Sequence, residues 1–227
     1  MLRSKSTLAT LLALGSLFNG AQGLPGAHDQ VIGYAKVSSR QAQRIIMHTN
    51  RLPVEESRPD QLIGPGFYMM NKPDWDVDEE DRSRYCVIKA NKKKMEEIEK
   101  VWVPKSYEQK NADGETVKQN LWGEEEEVIL EYIQIILDLA KSSEASTSEA
   151  STSEVLMPKP ERVLRFSSVP DRYWLYQMNI PTELVNDNDL ELRPTCFESV
   201  QNLKENYGDD RIDWRDDWKI RNAGVWQ

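Results

Sequence analysis

Leu62-Ile63-Gly64-Pro65-Gly66-Phe67-Tyr68-Met69-Met70, followed by Tyr85-Cys86-Val87-Ile88-Lys89-Ala90, is the most patterned part of this chain. Two glycines around a proline define a rigid turn that lets backbone approach another segment closely. The aromatic and Met residues after the turn suit a buried strand, and the Tyr85–Ala90 run suits its partner. The rest of the domain is read outward from this pair.

Upstream, Val31–Val37 reads as a strand and Ser38 or Ser39 as the cap of a helix from Arg40 to about Asn50, with Ala42, Ile45 and Ile46 on one face. Downstream, the acidic residues from Asp74 to Asp81 form a solvated loop. A charged helix, Lys92–Lys100, precedes a short strand, Val101–Val103, which Pro104 stops, and Ser106–Gln119 reads as a polar surface loop. Glu124–Leu139 carries a broad apolar stripe behind four glutamates and reads as a helix, with a strand from near Glu126 as the competing assignment. Val163–Ser167 and Tyr173–Ile180 flank a Pro-Asp turn and predict a hairpin. Thr182–Asn186 and Phe197–Tyr207 predict two short helices. Strands interspersed with helices in this order predict one α+β domain with a split, mostly antiparallel β-sheet core and peripheral helices.

Met1–Gly23 has the three parts of a secretory signal: Arg3 and Lys5, an apolar run from Leu8 to Phe18, and small residues before Leu24. The expectation is export to the extracellular space, with no membrane segment once the signal is removed. The mature domain then runs through 24–141 and 159–227, separated by an insertion at 142–158. That insertion holds the tandem Ala-Ser-Thr-Ser-Glu units Ala145–Glu149 and Ala150–Glu154, which have no large apolar residue to offset the entropy of ordering.

The formal net charge of -9, which becomes more negative when the signal's two cations leave, argues against a nucleic-acid or anionic-membrane binder. In an oxidising compartment the two cysteines predict a Cys86–Cys196 bridge. On the loop-entropy argument it is worth about 4–5 kcal/mol. Two buried thiols or an intermolecular bridge are the alternatives. Trp214, Trp218 and Trp226 in the tail read as plugs of a core edge rather than as a carbohydrate platform.

Self-sufficient catalytic motifs are absent: no phosphate-cradling Gly-x-x-x-x-Gly-Lys loop, no Gly-x-Ser-x-Gly elbow, no Cys-x-x-Cys and no His-Glu-x-x-His. His28 and His48 are the only histidines, which disfavours a metal cluster or a Ser-His triad. Carboxylates remain. Glu124–Glu127 could raise one another's pKa at the mouth of a cleft, or could simply match the dipole of a helix N-terminus.

The order of elements resembles a family. A strand with Tyr34, a Ser-led helix, a Gly-rich turn into an aromatic strand, the Tyr-Cys-Val-Ile-Lys-Ala strand, a short helix leading to Val101-Trp102 and a Glu-x-Glu-Val at Glu125, Glu127 and Val128 is similar to the catalytic chain of secreted heat-labile-enterotoxin and cholera-toxin type ADP-ribosyltransferases. The resemblance covers Val31 to Ile133 and extends to fungal enterotoxin-like secreted proteins. It implies NAD as substrate and Glu127 as the catalytic Glu, with Glu125 orienting the nucleophile. It also implies Tyr34, Gly66 and Tyr68 at the NAD site.

Two positions depart from the pattern. Ala35 stands where the family has the Arg that holds the NAD phosphates, and Tyr68-Met69-Met70 stands where it has Ser-Thr-Ser. Lys36 falls on the opposite face of the strand from residue 35. The expectation is therefore an ADP-ribosyltransferase-like toxin or effector whose chemistry is weakened or lost. The alternative is a non-enzymatic secreted protein, a monomer that binds a host or competitor protein through its acidic surface.

Overall fold

The computed structural model describes residues 28–47, 52, 61–75, 82–110, 113–145 and 158–222. The signal segment, most of the Ala-Ser-Thr-Ser-Glu insertion and Trp226 lie outside the described residues. In chain order the elements are β1 (Asp29–Val37), α1 (Ser39–Met47), β2 (Gly66–Met70), β3 (Arg84–Asn91), α2 (Lys92–Glu97), β4 (Lys100–Trp102), β5 (Ser106–Lys110), β6 (Thr116–Asn120), α3 (Glu126–Ala145), β7 (Leu164–Val169), β8 (Arg172–Pro181), α4 (Thr182–Asp187), β9 (Arg193–Phe197), α5 (Val200–Tyr207) and α6 (Trp214–Asp217). The fold is mixed α+β.

One sheet runs β4-β7-β8-β2-β1-β3-β9, antiparallel throughout except at β4 and β7. The sheet is continuous and not split as expected, because β1 bridges β2 and β3, but it has a narrow waist. β1 and β2 share one register pair, Tyr34↔Met70, whereas β1 and β3 pair along their whole length. Strand alternation turns one set of side chains into the larger core, where Phe67, Met69, Phe166, Met178, Ala35, Ile88 and Trp102 pack together. α1 closes this core with Ala42 and Ile45, α2 with Met95, and α4 with Leu184 and Val185. Trp214 is fully buried, donates from Nε1 to the Ile32 carbonyl at 3.0 Å and stacks on Trp218. Trp214 therefore plugs the core, as expected, with the partly buried Trp218 packed against it.

The opposite face carries a continuous row, Thr195–Val87–Tyr34–Met70–Gln177–Ser167, fixed by the register of six strands. α3 covers one end of this face through Ile129, Tyr132 and Ile133 against Val101, Val103 and Val163. α5 covers the other end through Val200 and Leu203 against Tyr34, Tyr85 and Val87. Between the two helices Tyr68, Met70 and Gln177 are half-buried.

Local signals explain the elements. Ser38 caps α1: its hydroxyl accepts from Gln41 N at 3.1 Å while Gln41 Oε1 accepts from Ser38 N at 2.8 Å. Ser199 caps α5 in the same way through Asn202 N. The apolar stripe and acidic start of Glu124–Leu139 do form a helix and not a strand.

Four further expectations are corrected. Ile46 is 69% exposed, because the burial of α1 runs through Gln41, Ala42 and Ile45. The Ser106–Gln119 loop is the hairpin β5–β6: Gly114, with φ +83°, supplies its turn, and Tyr107 rests on Tyr132. Phe197 ends strand β9 and does not start a helix, since the pairing of Tyr85 with Phe197 outweighs its local preference. α3 also extends to Ala145, so the first four residues of the Ser-rich segment are helical.

Cys86 and Cys196 are bridged, and they lie directly opposite each other in β3 and β9, 4.0 Å apart at Cα. The bridge closes a loop of 110 residues. Replacing both cysteines by alanine should lower the unfolding free energy by about 2–5 kcal/mol in urea titration. An unchanged midpoint would show that the bridge does not restrict the unfolded chain.

Candidate functional site

The Gly-Pro-Gly turn is held by side chains from three distant segments. Gly64 has φ +90° and Gly66 φ +155°, conformations that favour glycine. A side chain at Gly64 would collide with Arg165 and Glu126, and one at Gly66 with Asn179 and the Ile180 carbonyl. Both glycines are therefore required by space as well as by backbone angle.

Arg165 is the second residue of β7 and is completely buried. A guanidinium removed from water needs a countercharge and oxygen acceptors. Glu126, in the first turn of α3, supplies both of its carboxylate oxygens: Nη1 donates to Oε2 at 2.9 Å and Nη2 to Oε1 at 2.6 Å. Nη1 also donates to the Ile63 carbonyl at 3.0 Å. The helix N-terminus favours the carboxylate as well.

Asn179, the cross-strand neighbour of Arg165, donates from Nδ2 to the Gly64 carbonyl at 2.5 Å. Tyr68, the cross-strand neighbour of Asn179, donates its hydroxyl to the same carbonyl at 2.7 Å and accepts from Ile63 N at 3.0 Å. Burial pushes the Tyr68 phenol up to about 12, aided by Glu126 and opposed by its hydrogen bonds and by Arg165. The loop ahead of α3 is tied to the turn by Gly123 N, which donates to the Leu62 carbonyl at 2.9 Å.

Of the residues singled out from the sequence, Gly66 and Tyr68 sit at this knot. Glu125 and Glu127 flank Glu126 but are exposed, as is Glu124. Tyr34 lies apart, at the waist of the sheet against α5, 4% exposed. Its phenol is raised by burial and by the nearby Asp210 and Asp209. Ala35 is buried and Lys36 exposed, as alternation requires.

Sequence reading missed Arg165 and Asn179 and passed over Glu126 in favour of its neighbours. The available signal was a cation inside Val163-Leu164-Arg165-Phe166 and an amide between Met178 and Ile180. A polar residue inside an apolar strand marks a buried partner. Among the described residues, no group of three or more His, Cys, Asp or Glu is placed to hold a metal ion. No helix among them is long and apolar enough to cross a membrane.

Residues 61–223, more than two thirds of the chain, match the model of a family of unknown function, DUF5910. The chain belongs to this family. The match begins at the Gly-Pro-Gly turn and takes in Glu126, Arg165 and Asn179, so the whole knot lies within the family's domain. No curated protein and no solved structure matches the chain.

Two outcomes test the knot. Arg165→Met strands Glu126 beside a buried site and should cost about 3–5 kcal/mol, whereas adding Glu126→Gln to it should recover part of that loss in a double-mutant cycle. Additive losses would mean that the two side chains do not act as a pair.

Alkaline titration gives the second. Tyr68 and Tyr132 both have phenols raised to about 12 by burial, against an ordinary value of 10.0. Below pH 10 both are neutral in the folded and unfolded chain, so their contribution is fully present. Between pH 10 and 12 only the unfolded chain ionises, so stability should fall through that window. Tyr132→Phe should flatten the fall, and an identical slope in the variant would contradict the assignment.

Proposed function

We propose that this is an exported interaction protein, built on an ADP-ribosyltransferase-like scaffold, whose NAD chemistry is lost or strongly weakened. The observation that carries this reading is the engagement of Arg165. This cation sits against the glycine turn, near Tyr68, and is wholly buried and bound by Glu126. A dinucleotide needs cations that face it to hold its phosphates. At the family's Arg position stands the buried Ala35, and Lys36 lies on the other side of β1. These residues do not fit NAD.

The carboxylates support the same conclusion. Glu125 and Glu127 stand in solvent at the start of α3, where the helix dipole already accounts for them. Standing exposed, Glu127 gains no low-dielectric advantage for stabilising a developing oxocarbenium ion. The exposed glutamates and the net charge of -9 suit a protein partner with a basic surface.

Calorimetry with NAD on the oxidised protein, with NAD glycohydrolase activity followed in the same sample, tests the proposal. The expected result is no binding at millimolar NAD and no turnover. Binding with turnover that Glu127→Gln abolishes would overturn it and establish a working transferase.

A further inference from the structure

We propose that Cys86–Cys196 is a reductant-operated latch on the edge strand β9: thiol–disulfide exchange releases residues 193–197 while the rest of the domain stays folded. The inference is independent of the functional reading above, since it concerns only the oxidised domain and a thiol.

β9 is the last strand of the sheet, held on one side only, by its pairing with β3, by the bridge, and at its end by Phe197 edge-on to Tyr207 at 5.8 Å. Arg193 and Thr195 are exposed, Pro194 is its one buried residue, and a proline donates no ladder hydrogen bond. Its flanking ion pairs, Arg193 with Asp29 at 3.1 Å and Arg84 with Glu198 at 3.5 Å, involve arginines partly open to water and add little. The segments on either side are anchored independently. Leu190 and Leu192 are buried before the strand, and Val200 and Leu203 after it. Without the bridge, only the β3 ladder and the Phe197–Tyr207 contact oppose release of 193–197 between these anchors, and the larger core is not involved.

The two sulfurs are unequal in access. Cys86 is fully buried, whereas Cys196 is half-buried on the outer strand. An external thiolate therefore attacks Cys196 Sγ, forming a mixed disulfide there and expelling Cys86 Sγ as a thiolate that takes a proton from solvent. The second thiol of a dithiol then attacks the mixed disulfide. The reductant leaves oxidised as its own disulfide, and Cys196 is left as a thiol. The outer edge of β3, Tyr85–Lys89, loses its partner and becomes a template for another strand.

Hydrogen exchange by mass spectrometry, with and without dithiothreitol, tests the latch on the mature chain, together with Cys86→Ala/Cys196→Ala untreated. The expected result is that exchange at 193–197 and at 84–91 quickens by at least about 10-fold more than exchange in α3 and at Trp214, in both the reduced protein and the variant, since loss of the bridge lowers global stability everywhere but opens only the edge locally. Brief reduction followed by alkylation should trap the mixed disulfide on Cys196 first. Unchanged exchange at 193–197 would overturn the proposal, as would equal quickening throughout the core or first attack at Cys86.

Discussion

A guanidinium with no access to water has to be neutralised where it stands, and Arg165 meets that demand with groups from opposite ends of the domain. Glu126 brings the start of α3 to β7, the Ile63 carbonyl brings in the turn, and Asn179 and Tyr68 extend the network across β8 and β2. Breaking such a pair costs more than the pair contributes when intact, because the remaining charge is buried. The position of α3 over the sheet, the shape of the Gly-Pro-Gly turn and the entry of β2 into the sheet are thus coupled through one side chain.

That coupling also bears on chemistry. The carboxylate closest to the glycine turn is committed to holding the fold, and its neighbours Glu125 and Glu127 face solvent. The strip between α3 and α5 is lined by half-buried Tyr68, Met70 and Gln177, with the Gln177 amide donating to Ser167 Oγ at 2.9 Å. The sheet's waist at Tyr34 and Met70 lies in the same strip and separates the half covered by α3 from the half that Cys86–Cys196 staples.

Much of the fold was legible because its signals are local. Ser38 caps α1, the apolar stripe after Glu127 makes α3, and the apolar, β-favouring runs Val31–Val37 and Tyr85–Ala90 give the central strands. The disulfide was legible because there are only two cysteines to pair. What was not legible depends on contacts distant in sequence. Phe197 becomes a strand only because β3 offers an edge, and β5–β6 becomes a hairpin because Tyr107 finds Tyr132. Glu126 is indistinguishable from its three neighbours until helical phase turns it alone toward Arg165, 39 residues later. A run of identical residues conceals which one carries the structure.

The most direct test of the central claim is native-state hydrogen exchange at the Ile63 amide, which donates to Tyr68 Oη inside the knot. If Arg165 holds turn, helix and sheet as one unit, this amide exchanges only through global unfolding, with the same free energy as the amides of β3. Exchange through a local opening several kcal/mol cheaper than global unfolding would show that the turn moves independently, and would contradict the organising role assigned to Arg165.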